Sequence, residues 1–169
     1  MTKTDWIDRE SARIAGAKQQ AETRDQEALE AAMTAQQGSP EYWSEFVKAV
    51  KLQTDKLEKA FTRSSDEKIV GNCIVEEPNS TRPNHSCTII VTRYSVKLPP
   101  GPGECKMHFY YAPGSAQIKR SAWGQPDVFT DLRTSPRGVV ADVSGSSMTA
   151  SEFAAYLVKG MYERVKFPE

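Results

Sequence analysis

The apolar residues of this chain change their repeat once. Over residues 4–63 they recur at helical spacing, with Pro40 the single proline. Over residues 68–144 they fall in short alternating runs cut by proline and glycine. A period near 3.6 buries one face of a helix, and a period of 2 buries one face of a strand. A chain that uses the first and then the second sets a helical segment ahead of a β-rich unit. That order predicts an α+β fold with helices against one face of an antiparallel sheet.

Within the helical part the pattern predicts a hairpin. A first helix is expected over residues 5–36, with Ile7, Ile14, Ala21, Ala28 and Ala35 seven residues apart and Trp6, Ala17 and Leu29 nearby. Seven-residue spacing is the seam of a coiled coil. The seam is thin, because Ala21 is the one apolar residue between Lys18 and Glu27. A helix with so little to bury is expected to be solvated or to meet a partner. Gly38, Ser39 and Pro40 then read as a helix end, an N-cap and a first helical position. A second helix over residues 40–62 carries a stronger face of Trp43, Phe46, Val47, Val50, Leu57 and Phe61, interrupted by Thr54. It is the helix expected to pack on the sheet.

Strands are expected over residues 69–75, 87–98, 105–112, 116–123, 128–133 and 138–144, each bounded by turn-forming residues. Short connections favour an antiparallel meander of about five or six strands. Ile90, Tyr94, Val96, Phe109, Tyr111, Ile118 and Val139 are the expected apolar face. Thr149 and Glu152 form a capping box for a last helix, whose Phe153, Leu157, Met161 and Val165 share a face. The expected organisation is a helical hairpin over residues 1–63 and a unit of sheet plus C-terminal helix over residues 64–169, with the second helix packed on the latter.

The 22 basic and 22 acidic side chains cancel. This balance weighs against a general nucleic-acid or membrane-surface binder, although local patches survive it. No apolar run approaches the roughly 18 residues of a membrane span, and residues 1–5 lack a signal-like apolar stretch. Three cysteines suggest no disulfide framework and a cytoplasmic setting.

Chemistry-bearing residues are sparse. Cys73, His85, Cys87, Cys105 and His108 are the candidate metal ligands, but Cys105 and His108 stand three apart in a strand and point to opposite faces. The cysteines read better as small core residues. No metal, cofactor or catalytic residue is therefore assigned. A small enzyme of unknown class stays open as a third reading, using His85 or His108 beside a Cys or Asp, or the strand-end acids Asp127, Asp131 and Asp142. Residues 93–137 hold seven cations against three anions. Arg93, Lys97, Lys106, His108 and Tyr110 form a candidate basic face, suited to nucleic acid or an acidic partner. The leading expectation is a non-enzymatic binding or adaptor protein. It self-associates, or grasps a protein partner, through Ile7, Ile14, Ala21 and Ala28 of its first helix.

Overall fold

The structure is a computed structural model that describes residues 4–62, 67–95 and 103–166. Its first element is one helix, α1, from Thr4 to Phe61. Seven strands follow in chain order: β1 (Glu67–Glu76), β2 (His85–Ser95), β3 (Glu104–Tyr111), β4 (Gln117–Ser121), β5 (Val128–Ser135), β6 (Gly138–Val143) and β7 (Ser146–Met148). They form one antiparallel meander in which each strand pairs with the next. A C-terminal helix, α2 (Ala150–Val165), closes the fold. The α+β class, the antiparallel sheet and the last helix are as the sequence predicts.

The expected helical hairpin is replaced by a single helix of 58 residues, about 87 Å long at about 1.5 Å per residue. Its continuity has a local cause. Proline at position 40 has no N–H to give the carbonyl of Gln36 one turn back, and an interior proline costs roughly 3 kcal/mol. The Ser39 hydroxyl supplies that missing donor, reaching the Gln36 carbonyl at 2.8 Å. Ser39 is buried, and its Oγ lies 2.7 Å from the Tyr111 hydroxyl. With the serine proton committed to Gln36, Tyr111 is the donor in that second bond. Gly38 serves packing rather than a turn, since a Cβ there would sit 2.5 Å from Val139 Cγ2. The three residues that read as a stop are the place where α1 crosses the sheet.

Beyond this crossing, the second half of α1 and α2 together cover one sheet face. Trp43, Phe46, Val50 and Leu57 are buried against Phe153, Leu157 and Met161 and against Ile69, Ile89, Val91 and Phe109. Phe46 stands between Phe109 and Phe153, with ring centroids 5.5 and 5.4 Å away. Thr54, the polar interruption, is buried where Gly71 of β1 passes beneath it. Its hydroxyl turns back to the carbonyls of Val50 and Lys51. Both halves of the Thr149–Glu152 capping box are formed at the start of α2.

Two face assignments change. Ile89 and Val91, not Ile90 and Tyr94, point into the core, because they pair with Cys73 and Gly71 on the helix side. Residues 89–91 are all apolar, so alternation carries no phase there. Val96 and Lys97 lie outside the described residues. The seventh strand, β7, follows a two-residue turn of Ser144 and Gly145, both with positive φ. That is the pattern of a type I′ hairpin turn.

Candidate functional site

The first half of α1 leaves the body. Residues 6–34 are exposed, except Glu10, which is partly covered and accepts two hydrogen bonds from Arg13. The first buried residue is Ala35. Attachment begins close by, where Thr134 donates to the Ala31 carbonyl at 3.3 Å and Gln36 donates to the Gly114 carbonyl. The arm before Ala35 spans 29 residues, about 44 Å. Good helix formers and short-range pairs such as Arg13–Glu10 and Lys18–Glu22 sustain it.

The arm is not uniformly polar. Trp6, Ile7, Ile14, Leu29 and Met33 are all at least half exposed. Ile7, Ile14, Ala21 and Ala28 stand at seven-residue steps from the buried Ala35, and such steps drift about 20° per heptad, or about 80° over the four heptads from Ala35 to Ile7. The arm therefore carries an apolar stripe that winds gradually away from the sheet-packing side, and its residues as far as Thr34 are left uncovered or only grazed by the body among the described residues. Where the arm meets the body, Ala28, Ala31, Ala32 and Ala35 face Leu132 and Asp131 across an open groove of about 700 Å³. Of the stripe, the sequence reveals Ile7, Ile14, Ala21 and Ala28. That Ala31 and Ala32 line a groove against Leu132 is visible only in the structure, because it depends on where α1 crosses β5.

The candidate basic face is only partly assembled. Lys106, His108 and Tyr110 do share the open face of β3, beside Ile74 and Thr88, in a concavity of about 560 Å³. Arg93 does not join them. It lies opposite Ile69 on the helix-bearing face and donates to the Lys166 carbonyl at the end of α2, 3.0 Å away. Carboxylates interleave with the cations that remain. Arg82 grips Glu76 through two bonds of 3.0 and 2.9 Å, and Lys119 pairs with Asp127 at 2.7 Å while lying 6.0 Å from the Tyr110 ring centre. His108 bonds the Thr88 hydroxyl through Nδ1 at 2.9 Å. Partial burial, with Lys106 beside it, lowers the His108 pKa against an opposing pull from Glu76. This imidazole favours its neutral form, which takes a further cation off the face.

The catalytic candidates are separated. His85 faces the core side, against the Tyr111 ring, with Nδ1 2.9 Å from Glu77, whereas His108 is on the open face. Cys105 is buried on the side opposite His108, as alternation predicts. Asp127, Asp131 and Asp142 are bound respectively to Lys119, Gln117 and Arg133. No group of three or more potential metal ligands occurs among the described residues. None of the described helices is long and apolar enough to cross a membrane. One thiol arrangement is not evident from the sequence: Cys73 and Cys87, on adjacent strands, bring their sulfurs to 3.3 Å. In comparisons with known proteins the chain matches no family model, no curated protein and no solved structure.

Proposed function

We propose that this is a non-enzymatic binding protein whose recognition element is the N-terminal half of α1, and that the arm pairs with the arm of a second copy. The observation that carries this reading is an exposed helical arm, residues 6–34, along which Ile7, Ile14, Ala21 and Ala28 recur at seven-residue steps. Large apolar side chains left open on such an arm, as Trp6, Ile7, Ile14, Leu29 and Met33 are, suit it to association.

Side-chain size supports one orientation. The stripe begins with Ile7 and Ile14 and continues through Ala21, Ala28 and Ala35. Parallel pairing would set large against large and small against small. Antiparallel pairing sets the Ile7 and Ile14 end of one copy against the alanine-rich end of the other, beside the open groove. Charge agrees. An antiparallel register centred on residues 21 and 22 puts Lys18 across from Asp25 twice, whereas a parallel one brings Arg13 toward Lys18. Flanking pairs of this kind contribute little energy but select orientation.

Sedimentation of the full chain over a range of concentrations tests the proposal. The expected species at high micromolar concentration is a dimer. Ile14→Glu should shift it to monomer while helical content, read by circular dichroism, is preserved. A wild-type chain that stays monomeric throughout, or an Ile14→Glu chain that dimerises as well as wild type, overturns it.

A further inference from the structure

Two of the three cysteines sit in a geometry that free core thiols do not need. Cys73 on β1 and Cys87 on β2 both point to the helix-bearing face, and their sulfurs are 3.3 Å apart. A disulfide requires about 2.05 Å between sulfurs. Cys87 is fully buried, whereas Cys73 is partly exposed at the edge of the core. Reagents therefore meet Cys73 first, with Cys87 directly behind it. Cys105 lies on β3 at the far side of Val91 and is buried.

We propose that Cys73 and Cys87 form a peroxide-sensitive pair that closes into a reversible cross-strand disulfide between β1 and β2. The Cys73 thiolate attacks one oxygen of hydrogen peroxide. The O–O bond breaks, hydroxide leaves and takes up a proton, and Cys73 becomes a sulfenic acid. The Cys87 sulfur, losing its proton to solvent, then attacks the Cys73 sulfur. The S–O bond breaks, and a second water is formed. Two thiols lose two electrons, and one peroxide becomes two waters.

The surroundings favour Cys73 as the attacking group. The Cys87 thiol hydrogen-bonds to it and lowers its pKa, burial opposes this, and Lys51 on α1 adds to the lowering against Asp55. The same bond, with burial, pushes the Cys87 thiol up, so it holds its proton until it acts. Register predicts the character of the bond. Cys73 is directly opposite Ile89, and Cys87 is opposite Val75, so the pair is diagonal. Diagonal neighbours are farther apart at Cβ than a relaxed disulfide allows. The bridge is therefore strained, and strained bridges are the readily reduced, regulatory kind.

The test treats the reduced full-length protein with hydrogen peroxide, blocks remaining thiols by alkylation, and maps the peptides by mass. The expected result is a linked Cys73–Cys87 peptide, with Cys105 still alkylated and both lost thiols recovered on mild reduction. Cys105→Ala should leave the linkage unchanged, and Cys73→Ala should abolish it while Cys87 stays a thiol. Sulfinate at Cys73 with Cys87 still alkylatable overturns the proposal. So do links between chains in place of the internal one, or survival of both thiols under peroxide that oxidises glutathione. The wild-type map alone decides the matter if a variant fails to fold.

Discussion

A methyl group at position 71 would collide with the helix above it. A Cβ there would lie 2.7 Å from Thr54 Cβ and 3.0 Å from its Cα and carbonyl oxygen. Two of these three atoms are backbone, so the helix itself must lift. Gly71→Ala is therefore expected to destabilise the protein by about 1–3 kcal/mol, the range for overpacked cores. Gly160, on α2, meets nothing within 4 Å, so Gly160→Ala should stabilise by about 0.5–1 kcal/mol through helix propensity alone. Denaturant midpoints of the two variants check both signs. A stable Gly71→Ala protein would mean that α1 does not press on β1 as described. The pair also marks a boundary of what a sequence discloses. Both glycines interrupt regular elements, and only the neighbour across space separates a required one from a tolerated one. Gly38, Ser39 and Pro40 teach the same lesson. Their propensities point to a helix end, and the Ser39–Gln36 bond and the close pass of Val139 reverse it.

Within α1, packing divides one element into two regimes. Residues 42–57 bury Tyr42, Trp43, Phe46, Val50 and Leu57, whereas residues 6–34 bury nothing. Forming the first turn is the unfavourable step of helix formation, and the arm persists as an extension of a helix already nucleated by the body. Amide exchange of dilute protein should therefore form a gradient. Protection should be close to the global stability around Phe46 and Val50 and should fall toward the N-terminal end of the arm. Uniform protection along α1 at low concentration would contradict the arm's independence. Elements with clear periodicity were legible: the strong face of residues 43–57, the six longer strands with their Pro- and Gly-rich turns, and the capped α2. β7 was not, because three residues are too few to show alternation and its turn relies on Ser144 adopting positive φ. Of the candidate basic face, the parity of Lys106, His108 and Tyr110 within one strand was readable. The displacement of Arg93 to the other face was not, because residues 89–91 are all apolar and the phase of β2 is fixed only by its pairing with β3, where Ile90 stands opposite Lys106.

At the scale of the molecule, the arm should be separable from the fold without loss of the fold. The sequence alone suggests cutting before Ser39, where Gly38, Ser39 and Pro40 read as a break between two helices. The structure moves the cut upstream. Ala31 bonds to β5, Gln36 bonds to the turn between β3 and β4 at Gly114, and Ala35 is buried, so these residues belong to the body. A chain beginning at Ala28 should melt within about 2 °C of the full chain when both are dilute, since roughly 2–4 °C accompany each kcal/mol at this size. A chain beginning at Ser39 should melt several degrees lower, because it loses the Ala35 contact and leaves the Ser39 hydroxyl without its Gln36 carbonyl. Concentration adds a second axis. Self-association through the arm stabilises the folded state by mass action, so the melting temperature of the full chain should rise with protein concentration. That of the Ala28 chain should not, because Ile7, Ile14 and Ala21 are gone. A concentration-independent full chain with an intact fold would leave the stripe without a second copy to cover it. Equal concentration dependence in both chains would move the contact from the arm to the body.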